Sequence, residues 1–311
     1  IVLDEAHNFV DKILDFYSLE IPTKRIVNLL KIKDVPNQTN YVDWLKRVRI
    51  AAMMKAEGSS DSKTIEQCKQ ISDRVGAILQ EARMPGDFYV DAENDKIQIR
   101  PIYPATIAHK FLSKFQKIYF LSATIDAHFA KIIGLDESQT TEFNLDSTFP
   151  LENRPIYFPK DIPTINYSTK FDKTLPSIQL LDAIIERHKN DRGIIHTSNY
   201  RVFNALQIIY SNNSRFTWVE QGANKSFALD QHKKQNDSIL VSPSMMEGVD
   251  LADDLSRFQV IFKLPFPAKT EYMDALNQAM PGLYEMVTRN ALLQAYGRAV
   301  RSDKDWAHTY V

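Results

Sequence analysis

The chain has 311 residues, 44% hydrophobic and 25% charged, with a formal net charge of −1, which points to two compact units with room for an inserted module and excludes general disorder. The near-zero charge excludes a domain that is basic throughout, so any DNA or RNA site must be a local patch. The single cysteine, Cys68, excludes an internal disulfide framework and any cysteine-only metal or iron–sulfur site within these residues.

Ile1-Val2-Leu3 is a short apolar run ending in Asp4 and Glu5, which predicts a buried parallel strand with two carboxylates at its carboxyl end. Because this run reads as the middle of a strand, a preceding part of the fold is expected. From about Ile26 to Met84, apolar residues such as Trp44, Leu45, Val48, Ile71, Val75 and Ile78 recur at helical spacings, which predicts a helical insertion. Its basic run, Lys46, Arg47 and Arg49 included, reads as a solvated helix face or as an arm beside a nucleic-acid path. Phe88–Val90 and Ile97–Ile102 flank Glu93-Asn94-Asp95, a hairpin-like return to the first sheet. A helix over 106–115 and a strand over 117–121 follow, the strand ending at Ser122-Ala123-Thr124.

Beyond Phe149-Pro150, strands are expected near 193–196, 217–219, 239–241 and 259–264. Helices are expected over 178–188, 202–210 and 223–234, with a long one ending near Arg301. That alternation predicts a parallel sheet with helices on both faces. No apolar run approaches the ~20 residues that span a bilayer, and no signal or transit sequence is present, so the expectation is an intracellular protein with no membrane partner.

The chemistry-bearing residues fall at strand ends. Asp4-Glu5-Ala6-His7 is the DEAH form of the Walker B element: one carboxylate to hold Mg²⁺ through its water shell, a second to orient and polarise an attacking water. Ser122-Ala123-Thr124 offers hydroxyls that can bond to that element, or reads as a helix start. Glu247-Gly248-Val249-Asp250 follows the strand at 239–241, with a glycine that permits close backbone approach and an acid that can reach a ribose hydroxyl or an arginine. In Gln294-Ala-Tyr-Gly-Arg298-Ala-Val-Arg301 a helix would place both guanidinium groups on one face, where they could clamp a triphosphate; the bland alternative is a pair of surface arginines.

In order along the chain, Leu3-Asp-Glu-Ala-His-Asn8, Leu121-Ser-Ala-Thr124, Ile194-Ile-His-Thr-Ser198, Met246-Glu-Gly-Val-Asp-Leu251 and Gln294-x-x-Gly-Arg-x-x-Arg301 resemble helicase motifs II to VI. Asn8 after DEAH, Phe262-Lys-Leu-Pro-Phe-Pro267 and Gly297-Arg-Ala-Val-Arg-Ser-Asp-Lys-Asp305 resemble the XPD/DinG-like branch of superfamily 2. The resemblance implies an α/β fold: residues 1–21 and 105–150 as parts of a first RecA-like motor domain, 22–104 as a helical arch-like insertion, and 151–311 as a second, complete RecA-like domain with a parallel sheet.

Further implications of the resemblance are ATP and Mg²⁺ as cofactors and a helicase or translocase moving 5′ to 3′ on single-stranded DNA. Asp4 would bind Mg²⁺ through water, Glu5 would activate water, and His7, Ser122, Ala123 and Thr124 would couple the motor domains. Gly248 and Asp250 would serve nucleotide binding, with Gln294, Arg298 and Arg301 sensing the nucleotide, and Thr197, Ser198 and Tyr200 would lie near the DNA strand. No Gly-x-x-x-x-Gly-Lys-Ser/Thr occurs in the sequence, so the phosphate-cradling loop is expected before residue 1 in a missing amino-terminal half of the motor. An iron–sulfur cluster, if the protein has one, is expected there too. The chain alone is then an inactive part of an ATPase. Two other readings are a nucleic-acid-binding module without turnover and a DinG-like helicase associated with an exonuclease.

Overall fold

The computed structural model describes the chain except for residues 83–85, 126, 161, 164, 166–168, 170–173 and 245–249. It divides into two compact units: Ile1–Glu142 with Ala268–Met286, and Phe143–Pro267 with Val287–Val311. Among the described residues no helix is long and apolar enough to cross a membrane.

In the first unit β1 (Val2–Leu3) pairs in parallel with β5 (Tyr119–Phe120). The helices α1 (Phe9–Phe16), α5 (Pro104–Leu112) and α6 (Ala127–Ile132) pack on the Phe120 side of the pair, whereas Val2 and Tyr119 are exposed, which corrects the expectation of a buried strand. Phe9 meets the rings of Phe111 and Phe120 at 5.9 and 5.8 Å between centroids, and Phe120 meets Phe129 at 5.3 Å. Such tilted and edge-on aromatic contacts add to the burial of apolar area.

Between α1 and α5 lies the insertion, whose helices are α2 (Thr23–Leu30), α3 (Tyr41–Glu57) and α4 (Ser62–Glu81). Tyr41, Trp44, Leu45, Val48 and Ala52 of α3 and Cys68, Ile71, Val75 and Ile78 of α4 are buried in one core. Spacings of three and four put each set on one helix face. Asp61 caps α4, its carboxylate accepting the Thr64 N–H at 2.9 Å.

The helices lie where the helical pattern is expected and the expected hairpin follows them; what the structure corrects is the sheet that the hairpin joins. β2 (Leu19–Pro22), β4 (Lys96–Pro101) and β3 (Phe88–Asp91) form an antiparallel sheet in the order β2-β4-β3. Leu19, Ile21, Phe88, Ile97 and Ile99 drive it into the same core as α3 and α4. The hairpin therefore belongs to the insertion's own sheet and does not rejoin β1 and β5.

The second unit is built on a six-stranded parallel sheet in the order β6-β11-β10-β7-β9-β8. Its strands are β6 (Ile156–Tyr157), β7 (Gly193–His196), β8 (Phe216–Trp218), β9 (Ile239–Ser242), β10 (Phe258–Ile261) and β11 (His308–Tyr310). β7, β9 and β10 are buried at every position, as continuous apolar runs in a doubly covered sheet must be. Ile195, Val241 and Val260 share a core with α7 (Leu175–Arg187) and α8 (Tyr200–Ile209). Ile194 and Leu240 face the other way, with Ala228 of α9 (Lys225–Lys234) and Leu251.

The long helix expected to end near Arg301 is two helices, α10 (Glu271–Ala279) and α11 (Leu283–Tyr296). Gly282 stands before α11 at φ 92°, a conformation that glycine tolerates and other residues resist. Residues 268–286, assigned from sequence to the second motor domain, belong to the first unit. Tyr272 of α10 explains this: its hydroxyl donates to the Pro101 carbonyl at 2.9 Å, and the Arg100 guanidinium lies 4.0 Å from its ring centre. The Tyr89 hydroxyl adds a hydrogen bond to Glu271 at 3.2 Å.

Candidate functional site

β1 delivers Asp4 and Glu5 to its carboxyl end. Asp4 is exposed, and one carboxylate oxygen accepts the Glu5 N–H at 2.9 Å. The other oxygen has no protein partner among the described residues, which suits a Mg²⁺ ion that keeps its waters and touches one or two carboxylates. The described residues hold no group of three or more His, Cys, Asp or Glu side chains that would bind a metal directly.

Glu5 stands at φ 50°, ψ 44°, in the left-handed region and ahead of a short 3₁₀ turn over Ala6–Asn8. A non-glycine residue held there costs on the order of 1–3 kcal/mol and persists only where surroundings fix it. Contacts from β5's end fix it: the Ala6 N–H donates to Leu121 O at 2.9 Å. His7 Nδ1 lies 2.9 Å from Ser122 Oγ and 3.4 Å from a Glu5 carboxylate oxygen. Ser122 Oγ in turn accepts the Thr124 N–H at 3.1 Å and lies 3.4 Å from the Thr124 hydroxyl. The carboxylate end of this path is 61% exposed, whereas the His7 side chain is 6% exposed. Ala123 is exposed and offers no polar side chain.

In the second unit the structure brings Asp250 and Arg301 together, with Arg301 Nε 3.0 Å from the Asp250 carboxylate. Arg298 Nη2 donates to Gln294 Oε1 at 3.3 Å. Gly248, with Glu247 and Val249, lies outside the described residues. The helical placement of the two arginines is corrected: α11 ends at Tyr296, so Arg298 sits in the turn after it and Arg301 in the loop beyond. Gly297 follows directly on Tyr296, and helices commonly end at such a glycine.

Thr197 is fully buried and its hydroxyl donates to the Asn199 carbonyl at 3.2 Å, so it shapes the turn after β7 and offers no side-chain surface to a DNA strand. Ser198 takes φ 59° and bonds through its hydroxyl to the Lys263 carbonyl. Asn199 caps α8 by accepting the Val202 N–H at 2.9 Å. Tyr200, half-buried, then meets Phe203 at 5.9 Å. His196, on β7 just before this turn, is fully buried with no partner among the described residues for either ring nitrogen, and burial pushes its pKa down to about 4, so it is neutral at physiological pH.

On α3 the basic residues are matched locally. Lys46 Nζ lies 2.9 Å from Asp43, and Arg47 forms a two-pronged pair with Asp34, whose carboxyl it holds below the usual range. Arg49 lies over Gly76, where an added Cβ would come within 3.2 Å of its guanidinium. With two of the three charges paired to acids, replacing Lys46, Arg47 and Arg49 together by Ala is expected to change the salt slope of single-strand binding by less than about 0.7, the value of one phosphate contact. Titrating a fluorescent oligonucleotide at several salt concentrations checks this; a drop of about 2 would show that all three reach phosphates.

Sequence reasoning passed over Asp305, Arg257 and Asp253. Asp305 is buried, yet it accepts four hydrogen bonds: from Arg257 Nη1 at 2.8 Å, Trp306 N–H at 2.9 Å, Arg301 N–H at 3.0 Å and Asp253 N–H at 3.1 Å. The only signal in the sequence was its place at the end of the run from Gly297.

A family model for the helicase C-terminal domain matches residues 187–311. The chain is 37% identical over 81 residues to the ATP-dependent DNA helicase chl-1 of Caenorhabditis elegans, covering 23% of this chain and 10% of that protein. It is 20% identical to the ATP-dependent DNA helicase CHL1 of Debaryomyces hansenii, covering 100% of this chain and 52% of that protein. The chain thus spans about half the length of the second relative and a tenth of the first. Among solved structures it is similar to S. tokodaii Xpd4, with TM-score 0.65, 14% identity and coverage of 100% of this chain and 70% of that one. A structure described as an XPD helicase gives TM-score 0.58 at 15% identity, covering 100% of this chain and 64% of that one. These structures show that the fold is RecA-like α/β, and residues 187–311 match the helicase C-terminal domain family.

Proposed function

We propose that this protein is an ATP-driven DNA helicase or translocase that moves 5′ to 3′ on single-stranded DNA. The observation that supports the reading is the run of contacts from Glu5, whose carboxylate lies 3.4 Å from His7 Nδ1, through the His7–Ser122 and Ser122–Thr124 hydrogen bonds, because it ties the carboxylate that would orient water to a second strand end. A change at the nucleotide then has a physical route into the fold. Asp4 would hold the magnesium-bound nucleotide through water, and Mg²⁺ supplies charge neutralisation on the phosphates. Glu5 orients the attacking water and takes up its proton. Arg298 and Arg301 stabilise the charge that develops on the transferring phosphoryl group. The strand would pass near Ser198 and Tyr200.

The test is ATP hydrolysis by the native full-length protein with and without single-stranded DNA, followed by unwinding of duplexes with a 5′ or a 3′ tail. Expected are turnover stimulated by DNA and unwinding from the 5′ tail only. DNA binding without turnover would replace this reading with a binding module, and cleavage of the strand would point to an associated nuclease.

A further inference from the structure

A carboxylate presents about four acceptor positions, and a buried one must fill them or lose the hydration they had in water. Asp305 fills all four, with the pairs sorted by oxygen: Oδ1 takes Arg257 and Trp306, and Oδ2 takes the backbone N–H groups of Asp253 and Arg301. Arg257 is itself fixed, with Nε and Nη2 on Asp254 at 3.0 and 2.7 Å and its guanidinium 4.8 Å from the Trp306 ring centre. Asp253 stands at φ 56°, a left-handed conformation that persists only where the surroundings hold it. One oxygen therefore joins the stretch that carries Asp250 to the stretch that carries Arg301.

The head of Arg301 is held differently. It is 39% exposed and its partner Asp250 is 73% exposed, a surface pair that exchanges readily. Arg301 thus has an immobile backbone and a guanidinium that can leave Asp250 for a phosphate. We propose that Asp305 is the positioning residue for Arg301: it fixes the backbone from which that side chain reaches the nucleotide, without touching the nucleotide itself. This rests on the reading of Arg301 as a nucleotide-facing group.

The experiment compares Asp305→Asn, Arg301→Ala and the double variant in the native full-length protein, by DNA-stimulated turnover, KM for ATP and melting temperature. An amide cannot accept on both atoms, so at least one pair of N–H donors loses its partner. Asp305→Asn is expected to lower kcat at least tenfold with KM within threefold, and to add less than a twofold loss in the Arg301→Ala background. A loss repeated in full in that background, or an unchanged kcat, overturns the proposal, since a merely structural role multiplies through both backgrounds. Limited trypsin cleavage after Arg301, measured below the melting temperature, reads the same positioning without turnover. Asp305→Asn should speed it at least tenfold relative to cleavage after Lys46, and equal rates overturn the proposal. If the unaltered protein does not hydrolyse ATP, the proposed function fails while the cleavage result still decides this inference. If Asp305→Asn does not fold, Asp305→Glu, which keeps the charge and displaces the oxygens, is held to the same expectations.

Discussion

Arg301→Ala in the full-length protein is expected to lower DNA-stimulated ATP turnover by about a thousandfold or more, and Arg298→Ala by a comparable order, with single-strand binding largely intact. An arginine finger acts on charge that exists only in the transition state, and its removal typically costs on the order of 10³–10⁵ in rate. The structure makes the result interpretable. Arg301 pairs through its side chain with the exposed carboxylate of Asp250, an interaction worth roughly 0–1 kcal/mol, so its loss does not unfold the second unit. Steady-state turnover beside a melting curve separates the two effects. Turnover unchanged in both variants would refute the assignment.

Gly193→Ala is expected to destabilise the second unit by about 3 kcal/mol. Gly193 opens β7 directly beside Phe258 of β10, and a Cβ there would lie 2.3 Å from the Phe258 ring. The ring has no room to retreat. It is fully buried and stacked on His188 at 4.6 Å, and His188 is tied to Tyr310 at 3.0 Å and Asp191 at 2.9 Å. Overpacking a core typically costs 1–3 kcal/mol, and this overlap puts the site at the upper end. Denaturant unfolding measures it. Adding Phe258→Leu should recover part of the loss, because the two residues share one volume; independent, additive losses would show that the ring is not the obstacle.

The parts of the fold that could be read from sequence were those with one dominant pattern. β7, β9 and β10 are apolar runs buried on both faces, and α3 and α4 repeat their apolar residues at helical spacing. β2 is not legible in the sequence, because its alternation of Leu19 and Ile21 with Glu20 lasts only until Pro22, and it becomes a strand by pairing with β4, far along the chain. The helix that the three-residue spacing of Arg298 and Arg301 suggests stops instead at Tyr296, ahead of Gly297, and Ala299 and Val300 are buried in a loop. At the site, residue types and order pointed to Asp4, Glu5, Asp250 and Arg301. What the order could not reveal was backbone geometry: the left-handed φ of Glu5 and the convergence of two loops on Asp305 both depend on residues distant in sequence.

The sheet order also bears on how the polypeptide matures on the ribosome. Among the described residues β6 pairs with β11 alone, Ile156 against Thr309 and Tyr157 against Tyr310. It must wait, with Phe158 exposed beside it, until nearly all the intervening chain has been made. The first unit waits almost as long for Tyr272 to reach Pro101. Neither unit can close early, so the nascent chain carries open strand edges through most of its synthesis, the interval in which chaperones act on such surfaces.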